Sequence, residues 1–429
     1  VVKSDNGKEK KRMKLEKYSF GIGDRFGREG SAQLAAIIKA KEHGLNITPV
    51  WNKSNREHTI IGTTPQDTRR EADKAVSAAA WKDPYFVDAD HIGLNNVDVF
   101  IESSDFFTLD VADFIGQSAD ESNVQAFIEK HKKYIGSLAI PGIDGALEIT
   151  EEQVQAIAGK FLLAIKEAGK VYRHIEAAKG AGNFVTEVSM DETNEPQTPV
   201  EMLFIIGAIA DEGIPAQTIA PKFSGRFNKG VDYVGDVAKF AKEFEQDIAV
   251  VAFAAREFGL SENLKLSVHS GSDKFSIYGP IADTLKKFDA GLHLKTAGTT
   301  WLEELIGLAM AGGDGLAIAR EVYAKSVSRI DELCAPYAAV IDIDRAKLPT
   351  PEAVNRWDEE AFASALRHNL SCERYDRNLR QLLHVAYKVA AEMGERYFNA
   401  LAKYEDIIAR NVTENIYDRH IKPIFMGTR

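Results

Sequence analysis

A chain of 429 residues is too long for one minimal core, although a closed barrel reaches about 250 residues as a single unit. Hydrophobic residues make up 45% and charged residues 27%, and no run approaches the roughly 20 apolar residues of a membrane span, so an ordinary soluble globular protein with no membrane partner is expected. The net charge of −11 argues against a general nucleic-acid binder, whose phosphate contacts need a basic surface.

Residues 1–14, "VVKSDNGKEKKRMK", are basic and polar with no apolar stretch behind them, and do not read as a secretory signal. Met13 is a candidate natural start. Eight β-rich runs follow in chain order: "YSFGIG" (18–23), "NITPVW" (46–51), "PYFVDA" (84–89), "VDVFIE" (97–102), "NFVTEV" (183–188), "IPAQTIA" (214–220), "LKLSVH" (264–269) and "GLHLKT" (291–296). Helical patterns fill most of the gaps. "TPVEMLFIIGAIADEG" opens on a Thr cap and closes on Gly213, and 233–259 carries the i, i+3, i+4 spacing of an amphipathic helix.

Strand–helix alternation implies parallel pairing through crossover helices, and about eight units suggest an α/β fold, a (β/α)8 TIM-type barrel, over 15–302. The long gap at about 105–182 is expected to be a helical insertion beside the active-site face. Residues 303–429 hold almost no strand pattern and are expected to be a helical C-terminal region packed on the barrel. Within it, 372–412 reads as one or two long helices, with Leu379, Leu382, Leu383, Ala386, Val389, Ala390 and Met393 on one stripe. The only cysteines, Cys334 and Cys372, fall in helix-like segments. They make neither a disulfide framework nor a thiolate cluster, and suit a reduced, cytoplasmic setting.

In such barrels the chemistry gathers at the C-terminal strand ends. That rule selects Asp24 and Arg25 on the first strand, Asp88, Asp90 and His91 on the third, and Glu102 on the fourth. It adds Glu187 on the fifth with Asp191 soon after, Lys222 near the sixth, His269 on the seventh, and His293 and Lys295 on the eighth. Two histidines and a glutamate at one mouth suit a divalent metal such as Zn, Mn, Ni or Co. His91, Glu187 and His269 are the preferred ligands, with His293 in reserve. Asp90, beside a ligand, is placed to move a proton; Asp88 is then the loop carboxylate that caps its own turn. "GIGDRFG" mimics a dinucleotide fingerprint, but the second strand ends "VWNKS" with no acid to hold a ribose, which disfavours nicotinamide binding.

"DADHIG" and "HSGSDKF" resemble the paired motifs of class II metal-dependent aldolases. There, a "DH" supplies an acid and a metal ligand, and a later "HGGSG" supplies another ligand and a phosphate loop. From about Lys14 onward the sequence resembles the D-tagaturonate epimerase family, through "YSFGIGDRFG", "DADHIGL", "SVHSGSDKFSIYGPI" and "LHLKTAGTTWLEE". Members interconvert D-tagaturonate and D-fructuronate, and some relatives act on tagatose and fructose. The resemblance implies a small sugar acid or ketohexose as partner; a homo-oligomer is possible. These sugars differ at ketose C4, β to the ketone. Enolisation acidifies C3 and leaves C4 untouched, whereas retro-aldol cleavage of C3–C4 followed by re-addition inverts it.

The implied roles are a metal on His91, Glu187 and His269 and an acid/base at Asp90, with Asp191 or Asp24 as its counterpart. Lys274, Arg25 and Lys295 are candidates for the substrate carboxylate, within an anion loop that starts at Ser270. In that loop "SGSDK" replaces "GGSG": Asp273 would repel a phosphate dianion, and Lys274 pairs with a single carboxylate. A metal-dependent aldolase that releases its products needs the same residues, and a non-catalytic sugar-binding barrel is the alternative from a different class.

Overall fold

Eight parallel strands close into a barrel in the computed structural model, which describes residues 13–193, 195–296 and 298–427. The strands are β1 (Tyr18–Ile22), β2 (Ile47–Ser54), β3 (Phe86–Ile92), β4 (Phe106–Asp110), β7 (Val185–Ser189), β8 (Thr218–Ala220), β9 (Lys265–His269) and β10 (Leu292–Lys295). An antiparallel hairpin, β5 (Gly136–Ala139) and β6 (Ala146–Ile149), lies outside the barrel. The barrel order is β1-β10-β9-β8-β7-β4-β3-β2, so β1 pairs with both β2 and β10. The helices up to the end of the barrel are α1 (Gly30–Glu42), α2 (Asn55–Ile61), α3 (Pro65–Ala78), α4 (Glu121–His131), α5 (Glu151–Lys179), α6 (Pro199–Asp211), α7 (Val237–Glu257), α8 (Phe275–Phe288) and α9 (Thr299–Met310). Capping boxes start several of them: Ser54 with Glu57, Thr150 with Gln153, and Thr198 with Glu201.

The strand period of two divides each strand between the surrounding helices and the barrel interior. Phe20, Trp51, Val87, Phe107, Val188, Leu266 and Leu294 join the large core under the helices. Inside, Leu15, Val50, Phe86, Phe106 and Val185 form a separate apolar plug. Two residues further along the strands the interior turns polar, with Asp88, Thr108 and Glu187, and Lys295 at the end of β10. The chemistry therefore stands on an apolar floor.

Two elements depart from the sequence reading. The fourth strand is Phe106–Asp110 rather than 97–102, which forms a short 3-10 turn at Val97–Val99. Val97 and Phe100 are buried while Asp98 and Val99 are exposed, a three-residue spacing that a strand cannot satisfy. The insertion also lies elsewhere. Helix α5 is the crossover from β4 to β7. His131 and Tyr134 meet Asp211 and Glu257, and Gly142 sits against Phe288. These contacts fall at the C-terminal ends of α6, α7 and α8, on the face opposite the active-site mouth.

The C-terminal region adds α10 (Gly313–Ser328), α11 (Ile330–Cys334), α12 (Pro351–Val354), α13 (Glu359–Leu366), α14 (Arg377–Val385), α15 (Tyr387–Glu392), α16 (Glu395–Lys403) and α17 (Glu405–Ile416), followed by a π-helical turn at Tyr417–Met426. The domain boundary expected at 302/303 falls inside α9. The one or two long helices expected over 372–412 are instead four shorter ones; Gly394, at φ +57°, marks one break. Cys372 sits in the turn before α14, and both cysteines are unpaired. No helix among the described residues is long and apolar enough to cross a membrane.

A buried ionic clasp joins this region to the barrel. Asp273, in the loop after β9, receives Arg380 Nη2 at 2.9 Å and lies 3.1 Å from His368 Nδ1. Arg380 also donates to the carbonyls of Gly230 (2.6 Å) and Leu366 (2.7 Å). Burial works against the Asp273 carboxylate, but Arg380 and His368 overcome it and hold its pKa well below the usual range. Removing one partner strands a buried charge, so Arg380→Ala is expected to destabilise the protein by about 3–5 kcal/mol, read from denaturant unfolding. A loss under about 1 kcal/mol would mean that the neighbouring histidines satisfy Asp273 unaided.

Candidate functional site

The β3–β4 register shifts between Ala89 and Ile92, and His91 adopts φ +56°, a left-handed conformation unusual for histidine. This bulge turns consecutive side chains, Asp90 and His91, into one mouth. The mouth is a cavity of about 380 Å³ whose wall includes Arg25, Asp90, His91, Asp110, Asp191, His269 and Lys295.

His91, Asp191 and His269 converge so closely that one donor atom from each lies within 4.8 Å of the others. His91 Nε2 is 3.4 Å from Asp191 Oδ1, and His269 Nδ1 is 3.1 Å from Asp191 Oδ2. The His269 Nδ1 contact lacks hydrogen-bond geometry, leaving a buried ring nitrogen aimed at a carboxylate without a proper bond. The opposite nitrogens are both engaged: His91 Nδ1 with Asp90 at 3.0 Å, and His269 Nε2 with Glu187 at 2.8 Å. A carboxylate behind each imidazole fixes ring and tautomer, as divalent-metal sites require. The donor set, two imidazoles and a carboxylate, fits such an ion.

Behind these groups stands Lys295. Its ammonium contacts Asp88 (2.7 Å), Asp90 (3.0 Å), Glu187 (2.9 Å) and the Thr108 hydroxyl (2.6 Å). One cation cannot neutralise three carboxylates. Burial pushes the Asp88 pKa up to about 7, against the pull of Lys295, so Asp88 readily keeps a proton. Burial also works on Asp90 and Glu187, but Lys295 and then the adjacent histidines outweigh it and hold both well below the usual carboxylate range.

The remaining predicted residues are dispersed. His293 lies one layer deeper, its Nδ1 2.8 Å from the Ser19 hydroxyl, and burial pushes its pKa down to about 3; it does not reach the other histidines. Asp24 accepts from the backbone of Phe26, Arg28 and Glu29 and so holds its own turn. Arg25 does face the mouth, where it pairs with Glu57 and covers the Tyr387 ring. The Ser270 hydroxyl donates to the Lys295 carbonyl at 2.8 Å, tying β9 to β10. Asp273 is committed to the clasp. Lys274 is buried and bonded to the Ser272 hydroxyl at 2.9 Å, outside the mouth. Sequence reasoning passed over Asp110, which ends the misplaced fourth strand. It also passed over Lys229, which sits in a loop with no periodic pattern.

A sequence model of the family described as tagaturonate epimerase matches residues 8–424. The chain belongs to the tagaturonate epimerase family. It is an enzyme, an isomerase acting on carbohydrates. It is similar to the tagaturonate/fructuronate epimerase of Thermotoga maritima, with 30% identity over 419 residues covering 94% of this chain and 80% of that one. A glycerol-complexed crystal structure of the fructuronate-tagaturonate epimerase UxaE from Cohnella laeviribosi has the same fold, with a TM-score of 0.78 at 23% identity over 95% of this chain and 81% of that one. The native crystal structure of that enzyme gives a TM-score of 0.75 at 22% identity, over 95% and 82% of the two chains.

The electrostatics of the mouth give the site a pH signature. Burial opposes charging of His269, but Asp191 and Glu187 prevail over it and over Lys295, raising its pKa from 6.5 to about 9. In the metal-free protein this stabilisation is fully present below pH 6.5 and is lost as pH rises through about 9. The melting temperature of metal-free protein is therefore expected to fall across that window, and a His269→Asn variant to flatten the decline. A divalent ion held through His269 would displace those protons, so affinity for added metal is expected to rise over the same range.

Proposed function

We propose that this chain interconverts D-tagaturonate and D-fructuronate by inversion at ketose C4, using a divalent metal held by His91, Asp191 and His269. Family membership and the curated relative supply the reaction. The observation that carries the site assignment is the convergence of those three donors, with Asp90 and Glu187 bracing the two imidazoles. Asp191 thus passes from proton carrier to ligand, and Glu187 from ligand to brace.

When bound, the cation supplies Lewis-acid stabilisation of negative charge on the ketose oxygens. The chain's own residues handle protons and geometry. Asp90 is kept ionised by Lys295, so it enters the reaction as a base. It takes the proton of the C4 hydroxyl; C3–C4 then breaks, leaving C4 as an aldehyde and the electron pair delocalised into an enediolate over C3 and C2. The aldehyde turns, C3 adds to its other face, and the new C4 alkoxide takes up a proton. Asp110 ends the strand next to β3, lines the same cavity and has its pKa raised by burial, so it is suited to give that proton. Tagatose and fructose present the same reacting carbons and differ by lacking the carboxylate.

Chelation is expected to abolish turnover of tagaturonate, and a divalent metal to restore it. His91→Ala and His269→Ala should lose both metal and activity. Asp90→Asn should keep the metal while kcat falls by about 10²–10⁴-fold. Chemical quench should show fructuronate without free three-carbon aldehyde. Full metal content and full rate in both alanine variants would refute the assignment.

A further inference from the structure

The mouth adjoins a second cavity of about 430 Å³, and Lys229 lines both, together with Arg56, Gly271 and Tyr337. Apart from Arg56, which lies over the Tyr337 ring, the other cations near the mouth are spoken for. Arg25 is paired with Glu57, Lys295 with three carboxylates, and Lys274 is bonded to Ser272. Lys229 differs. Among the described residues no carboxylate lies within ion-pair distance of its ammonium, although Glu192 and Asp191 act on it from farther away.

Its position is built. The Lys229 amide donates to the Val340 carbonyl at 2.8 Å, and the next amide, Gly230, donates to the Ser272 hydroxyl at 3.0 Å. The Gly230 carbonyl receives Arg380. The side chain passes over Gly271, two residues beyond His269. A Cβ at Gly271 would lie 3.3 Å from the ammonium, and the backbone there sits at φ +65°, so glycine serves both the turn and the clearance. Burial, and then repulsion from Arg25, hold the Lys229 pKa below the usual lysine range, and an arriving anion would offset both.

The geometry points to Lys229, flanked by Arg56, as the residue that binds the substrate's carboxylate. This rests on the epimerase reading and deepens it: the metal donors face the ketose end, and Lys229 stands at the junction where the acid end leaves the mouth. A charged hydrogen bond at this point selects sugar acids over neutral ketoses.

Lys229→Met tests it. With tagaturonate, kcat/KM should fall by about 10–100-fold, chiefly through KM. Calorimetric titration supplies a readout that does not depend on turnover. D-galactonate, an unreactive hexonate, should lose affinity by the same factor, while galactitol, its neutral counterpart, binds as before. Lys229→Arg should recover most of the galactonate affinity. Unchanged galactonate affinity in Lys229→Met would overturn the proposal, as would parallel loss of galactonate and galactitol. Wild-type protein that binds galactonate through Lys229 but leaves tagaturonate unchanged would instead refute the epimerase reading and leave the carboxylate anchor standing.

Discussion

One ammonium among three carboxylates organises the interior of this barrel. Lys295 draws Asp88 and Asp90 from β3 and Glu187 from β7 to a single point, with Thr108 of β4 closing the ring. Charges this deeply buried persist only when paired, so their positions are mutually dependent. Through Asp90 and Glu187 the constraint reaches His91 and His269, whose outer nitrogens then have one direction left to face. The converging donors are thus set by a lysine whose ammonium bonds to the carboxylates behind the two imidazoles.

Much of this was legible from strand periodicity. Asp88 and Asp90 share a face because they are two residues apart, and the same holds for Ser267 and His269 and for His293 and Lys295. Strand ends located His91, His269, Lys295 and Arg25 at the mouth. What periodicity lacks is depth: His293 and His269 both point inward, yet one sits a layer below the chemistry. It also misleads where helical and extended spacings coincide in a short apolar run, and placing the fourth strand at 97–102 hid Asp110.

The loop after β9 shows a different limit. "SGSDK" looks like an anion cradle when read locally, but its carboxylate is claimed by residues 95 to 142 positions away and its ammonium by a neighbouring serine. Arg380, His368 and Asn415 enclose Asp273, and Lys274 folds back on Ser272. Long-range partners leave no trace in local spacing. The C-terminal region is accordingly more than packing. By gripping the residues that follow His269, it fixes a wall of the mouth, and α15 places Tyr387 under Arg25 on the same rim.

The left-handed backbone at His91 carries a consequence for how this site tolerates change. A φ of +56° costs any side-chain-bearing residue stability that glycine would recover. Selection for thermal robustness alone would therefore favour losing the imidazole at this position, and with it one of the three donors that converge in the mouth. An imidazole kept on such a backbone is kept for something other than stability. The same bend makes position 91 a place where stability and the chemistry of the mouth trade against each other.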